Sequence, residues 1–144
     1  MDKQVVLAYI KAINEADVAK LYSLMSPEHV FIDAHDGRII GRDAMKQSWV
    51  GYFEMFPDYL IEVNDIVGDS SSFAVFGYAG GTYKNLKNDD DSNYYRVPAA
   101  WKVILKDNLV THWQVYADNT RAIEIYNRNN LISGRLRQAG QCPA

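Results

Sequence analysis

Residues 94–118 read YYRVPAAWKVILKDNLVTHWQVYAD, two alternating apolar runs joined at Asp107-Asn108. Alternation with a period of two marks β-strands, and Asp and Asn tolerate the positive φ that a two-residue hairpin turn needs. The stretch therefore predicts an antiparallel hairpin, 94–106 against 109–118. Upstream the same period holds over 72–83 and 59–67, with Gly68-Asp69-Ser70-Ser71 and Lys84–Asn93 as the connections. Gly77, Gly80 and Gly81 within one strand predict bending or a close backbone approach.

Before residue 57 the period is helical. Val5, Val6, Leu7, Tyr9, Ile10 and Ile13 form one stripe of a helix over 2–15, and Asp17 N-caps a short second helix closed by Ser26-Pro27. His29 to Asp33 reads as a short strand followed by the turn dipeptide Asp36-Gly37. A third helix spans 43–56, with Ala44, Trp49, Phe53 and Phe56 near its inner face, and Pro57-Asp58 stops it. Residues 119–129 read as one more helix. Helices followed by long antiparallel strands give an α+β fold with helices on one face of a sheet. Residues 1–130 are expected to form a single domain, and 131–144 a flexible tail.

Composition bounds the function. The 144 residues carry a net charge of −3 with both signs interspersed, so no basic footprint for nucleic acid or an anionic membrane is present. No apolar run approaches a membrane span, the first residues lack a secretory layout, and the single Cys142 permits no internal disulfide. A cytoplasmic setting is the expectation. Asp89-Asp90-Asp91 lacks the glycine and terminal glutamate of a calcium loop, and the three histidines show no HxH or HxxxH spacing, so no metal and no cofactor are expected. Ten tyrosines against five Phe and three Trp suit a half-wet cavity or an interface.

Four short motifs in order carry a resemblance. Tyr9-Ile10-Lys11-Ala12-Ile13-Asn14-Glu15-Ala16-Asp17, Phe31-Ile32-Asp33 followed by Gly41, Phe56-Pro57-Asp58, and Trp113-Gln114-Val115-Tyr116-Ala117-Asp118 together resemble the SnoaL-like and ketosteroid-isomerase-like branch of the nuclear-transport-factor-2-like superfamily, over roughly residues 2–128. The resemblance implies a cone-shaped fold, with a strongly curved, mostly antiparallel sheet and three N-terminal helices on its concave face. It also implies Asp33 or Asp118 as a proton-shuttling base and Tyr9 as a donor to a developing enolate. The second acidic donor of ketosteroid isomerases falls here at Ala100 or Trp101. The Arg-x-Asp pair of limonene-epoxide hydrolases falls in Phe76-Gly77-Tyr78-Ala79-Gly80-Gly81. The cyclase variant of the family chemistry therefore fits best, and epoxide hydrolysis less well.

Side chains two apart on a strand share a face. His112, Gln114, Tyr116 and Asp118 thus share one face of the last strand, and Leu109, Thr111, Trp113 and Val115 the other. A two-residue turn at 107–108 puts Trp101, Val103 and Leu105 with the first set, which is taken as the concave face. On that reading burial raises the Asp118 pKa toward neutrality, with capping of the helix near Asn119 as the alternative. Asp33 is a base or a turn-former; Tyr9 is an oxyanion donor or a packed aromatic. His112 and His35 are candidate proton partners, while His29 is structural or exposed. His35, Trp49, Tyr52, Tyr78, Trp101, Gln114 and Tyr116 are candidate ligand contacts, with core packing as the alternative for the aromatics.

The expected function is a small-molecule pocket protein, an isomerase or cyclase-type lyase acting on an organic ring or ketone. The alternatives are a non-catalytic binder of an apolar ring-shaped ligand and a dimeric interaction module. Trp113 and Val115, on the opposite face, are expected to form a homodimer through the convex side of the sheet.

Overall fold

A computed structural model describes residues 2–86 and 92–131. The elements are α1 (Asp2–Asn14), α2 (Val18–Leu24), β1 (Met25–Ile32), β2 (Arg38–Ile40), α3 (Arg42–Met55), β3 (Leu60–Asp69), β4 (Ser72–Thr82), β5 (Tyr94–Lys106), β6 (Leu109–Ala117) and α4 (Thr120–Leu131), with a single 3₁₀ turn at Tyr83–Asn85. The strands form one curved, open sheet in the order β2-β1-β6-β5-β4-β3, in which, among the described residues, only the β1–β6 pair is parallel. The α+β fold expected from the alternating strands is the one observed. The calcium-loop question at Asp89–Asp91 and the tail from residue 132 lie outside the described residues.

Ser26 and Pro27 do not simply stop α2. The helix ends at Leu24, and both residues belong to β1, where the pairing with β6 shifts between Met25 and Val30. Asp17 does cap α2, accepting from the Lys20 amide at 3.1 Å. The α3 inner face carries Met45 in place of the expected Ala44, together with Trp49, Tyr52 and Phe53.

The hairpin turn forms as read, with Asp107 and Asn108 both at positive φ. Lys106 then faces Leu109 and Leu105 faces Val110, as a two-residue turn demands. The next pair is Ile104 with His112, so Thr111 is an extra residue in β6, and its Oγ1 donates to the Ile104 carbonyl at 3.1 Å. A one-residue slip in register moves every following side chain to the other face.

That bulge overturns the expected facing of β6. Val103 is opposed by Trp113 and Trp101 by Val115, and all four point into the core with exposures of 2% or less. His112, Gln114 and Tyr116 lie on the outer face, with Tyr116 54% exposed. Tyr78 is outside as well: it pairs with Pro98 and Glu62, and Arg96 covers its ring at 3.8 Å. Trp113 and Val115 therefore cannot form the convex dimer surface expected of them.

Helices α1 and α3 close the inner side of the sheet, contributing Val6, Tyr9, Ile10, Ile13, Met45, Trp49 and Tyr52 to a single core cluster. Side chains from the motifs brace this arrangement. Asn14 donates to the Ile61 carbonyl at 3.0 Å and accepts from its amide at 2.8 Å, fastening the end of α1 to β3. Asp58 accepts from the Thr82 amide at 2.6 Å, tying the α3–β3 junction to the end of β4. At Gly77 an added Cβ would lie 1.7 Å from the Glu62 carbonyl oxygen, beside the register shift in β3, so only glycine lets the two strands close there.

Candidate functional site

Two groups of polar side chains compete for the role of site. The first is a rim at one end of the sheet, where the β1–β2 loop meets the start of α4. Asp33 is 5% exposed, and its Oδ1 accepts from the backbone amides of His35 and Gly37, both at 2.8 Å. The Asp33 amide donates in turn to the Gly37 carbonyl at 2.9 Å, so the residue closes the loop around the Asp36-Gly37 turn. Of the two readings of Asp33, turn-former and base, this geometry matches the turn-former.

Asp118 is exposed, not buried in an apolar cavity. It accepts from the Thr120 amide at 3.0 Å and from the Thr120 hydroxyl at 2.6 Å. These hydrogen bonds hold its carboxyl below the usual carboxylate range, with a further small contribution from the nearby His35. The expectation of a raised pKa is thus reversed, because hydrogen bonds to the charged form outweigh desolvation here. Its role at the entry to α4 corresponds to the capping alternative. His35 Nε2 contacts Asn119 Oδ1 at 2.8 Å, linking the loop to the helix start. On the outer face, His112 Nε2 reaches only Gln114 Oε1, at 3.3 Å.

The second group lies inside. Tyr9, on α1, is wholly buried; its ring stands 4.8 Å from Trp113 and 6.2 Å from His29. Trp101 continues the chain of rings, 6.2 Å from Trp113. Tyr9 Oη, His29 Nε2, Trp49 Nε1 and Trp101 Nε1 are all buried and find no hydrogen-bond partner; Ser26 Oγ and Asn127 Oδ1 share that condition elsewhere. Burial drives the Tyr9 hydroxyl far above the ordinary phenol range. The Trp49 indole lies near enough to temper that rise without reaching hydrogen-bond geometry. Leaving a buried polar group unmatched costs about 1–3 kcal/mol, and native proteins hold few of them.

His29 is the residue that sequence reasoning set aside. It lies on β1 two positions before Phe31, and Phe31 opposes Trp113, so the alternation that puts Phe31 in the core puts His29 there too. Its Nδ1 lies 2.7 Å from the Val110 carbonyl oxygen. A carbonyl only accepts, so Nδ1 carries the proton, and a neutral ring then leaves Nε2 as a bare acceptor. Burial lowers the His29 pKa to about 4, partly opposed by the Val110 bond and reinforced slightly by His112. The ring is therefore neutral at neutral pH.

Tyr52 is buried, but its hydroxyl meets that of Tyr95 at 2.6 Å. It belongs to a second aromatic cluster with Phe56, Tyr59, Tyr83 and Tyr126, which extends to α4. Of the seven positions singled out as ligand contacts, Trp49, Tyr52 and Trp101 are interior, and Tyr78, Gln114 and Tyr116 are on the outer sheet face. His35 is at the rim. Among the described residues no three His, Cys, Asp or Glu side chains group as a metal site, and no helix is long and apolar enough to cross a membrane.

Comparison with known proteins supports the architecture. The sequence model of the SnoaL-like domain matches residues 6–125. No curated protein sequence matches the chain. A Catenulispora acidiphila protein with a ketosteroid isomerase-like fold, crystallised with trimethylamine, superposes with a TM-score of 0.72 at 16% identity, covering 84% of this chain and 90% of that one. A Xanthomonas campestris protein named for a polyketide cyclase gives 0.73 at 16% identity, covering 85% and 94%. A Jannaschia protein named for a SnoaL-like polyketide cyclase gives 0.71 at 17% identity, covering 86% and 90%. At such identities the likeness is one of fold.

Proposed function

The chain belongs to the SnoaL-like domain family, and on that premise we propose that it is a small-molecule pocket protein whose ligand is an apolar ring compound bearing a hydrogen-bond acceptor. One observation carries the reading. Three N–H or O–H donors, on Tyr9, Trp49 and Trp101, are buried among aromatic rings without a hydrogen bond of good geometry, the Trp49 indole coming near the Tyr9 hydroxyl. Sites for small molecules combine apolar walls with a few convergent polar groups, and a ligand carbonyl satisfies such donors. The reading gives neither Asp33 nor Asp118 a proton-transfer role, since both serve backbone amides at the rim.

The same reading includes a homodimer through the outer face of the sheet, on different residues from those first expected. Phe76, Ala100 and Tyr116 oppose one another directly across β4, β5 and β6, and Phe76 and Tyr116 are 45% and 54% exposed. Two exposed aromatics flanking Ala100 in this way suit contact with the same face of a second copy.

Titration with β-tetralone and with tetralin, the same ring system without a carbonyl, tests the pocket. Quenching of tryptophan emission and a rise in Tm are expected with the ketone, at an affinity roughly five- to tenfold above the hydrocarbon for one matched hydrogen bond. If neither compound alters emission or Tm, the pocket reading fails.

A further inference from the structure

The outer face of the sheet carries a histidine among apolar neighbours, and that face is the one assigned to a second copy. We propose that His112 makes self-association of this face pH-dependent, the neutral rings allowing two copies to meet and protonation separating them. The inference rests on the outer-face homodimer above and adds a control to it.

His112 stands in a row that crosses four strands. Ile40 of β2 opposes Val30 of β1, Val30 opposes His112 of β6, and His112 opposes Ile104 of β5. Ile40 is 70% exposed, and Val30, His112 and Ile104 are half-buried. The bulge at Thr111 is what turns the ring outward, onto the side of Gln114 and Tyr116. Tyr116 lies four residues along the same strand, about 13 Å away at the usual rise. A contact of ordinary size, about 800 Å² per partner or roughly 30 Å across, spans both rows.

Once covered, the surroundings of the ring favour its neutral form. Val30 and Ile104 on either side are apolar, and Gln114 presents only a neutral amide oxygen, 3.3 Å from Nε2. From β5, the exposed Lys102 and Lys106 share the outer side with Ile104. From β2, Arg38 lies one row along and is paired with Asp36 at 3.6 Å. Two carboxylates share this side. Glu28, exposed, is two residues before Val30 on β1, and Asp69 ends the row on β3, three strands and about 14 Å away. Neither is within ion-pair distance of His112. On the inner side His29, next to Val30, carries a second ring whose charge and that of His112 disfavour each other.

Two-fold pairing of one face with itself buries the same residue twice. A protonated ring is then desolvated in both copies, without a paired carboxylate, on a face that already carries two lysines. Imidazole is the side chain whose charge ordinarily changes between roughly pH 5 and 8. Below that change each copy must release a proton on pairing, so two protons leave per dimer and Kd rises as pH falls.

The test is sedimentation velocity over a concentration series at about pH 8 and about pH 5.5, on either side of most histidine titrations. The wild-type Kd is expected to be at least about fivefold higher at the lower pH, since the preferences of two rings multiply. His112→Gln, neutral throughout, should give one Kd at both pH values. His112→Lys, charged throughout, should associate weakly at both, and His35→Gln, at the rim, should behave as wild type. A wild-type Kd that does not change with pH overturns the proposal and leaves the dimer standing; a monomer at every concentration and pH removes both. Retention of the pH dependence by His112→Gln also overturns it. Should the variants fail to fold, proton NMR of the wild-type imidazoles decides. The His112 titration midpoint must lie lower in concentrated samples than in dilute ones, and an unmoved midpoint overturns the proposal.

Discussion

The rim and the interior hold their polar atoms in opposite states. At the rim, Asp33, Asp118 and His35 each have close partners, at 2.6–3.0 Å, most of them backbone amides. In the interior, Tyr9, His29, Trp49 and Trp101 each present a buried polar atom without a well-formed hydrogen bond. Hydrogen bonds already made within the chain stabilise loops; those left unmade in a dry interior are available to a ligand. The difference shows that a carboxylate in a family motif is not thereby a reactive carboxylate. Here the motif side chains Asn14, Asp17, Asp33, Asp58 and Asp118 all brace the architecture.

The sharpest way to break this contrast is to insert one alanine between Val110 and Thr111. With the bulge kept at one extra residue, the pairing beyond it then shifts by one, carrying Trp113 and Val115 outward and His112 and Gln114 inward. Loss of the folded state is expected, read as a collapsed near-ultraviolet circular dichroism signal. A native spectrum from the insertion would mean that the inside–outside assignment of β6 is wrong.

A milder version compares two aromatics three positions apart on β6. Trp113→Ala should cost about 3–5 kcal/mol in urea unfolding, as for other large-to-small changes in a packed core. Tyr116→Ala should stay within about 0.5 kcal/mol for the monomer and weaken self-association in analytical ultracentrifugation. Equal costs for the two would erase the distinction between the faces.

His29 sharpens the comparison through pH. Its pKa is lowered by burial to about 4, against 6.5 when unfolded, so the unfolded chain binds more protons between those values. The stability contributed by the neutral ring is fully present above pH 6.5 and is lost as pH falls toward 4, by an amount on the order of 3 kcal/mol. The groups bearing on that titration are Tyr9 from α1, the Val110 carbonyl and His112 from β6. His29→Asn should flatten this part of the stability–pH curve; an unchanged curve would show that the histidine is not held neutral by burial.

The smallest effect is expected at Asp118→Asn. The amide oxygen can still accept from Thr120, so Tm should fall slightly and ketone binding should not change. A large loss of binding would return the rim to the functional site.

Much of the fold was legible because its signals are local. Period-two alternation marked β3 to β6, Asp107-Asn108 marked the turn, and Gly77 marked the close strand approach. The candidate site was less legible because it depends on register, and one bulge residue reverses register without disturbing the alternation. A signal did exist: Trp113 and Val115 are far more apolar than His112 and Gln114, and hydrophobicity alone argues for the arrangement observed. His29 was legible in the same way, from its two-residue offset to Phe31. What no local pattern reveals is whether a buried polar atom has a partner, since that partner comes from a distant element.

The clasp between Asn14 and Ile61 reaches beyond the fold of one molecule. β3 is an edge strand, and an open edge invites a foreign chain to add itself by backbone pairing. At Ile61 both the amide and the carbonyl on that edge are already occupied by a side-chain carboxamide. One asparagine thus deprives an incoming strand of a foothold, and its removal should show first as a tendency to aggregate.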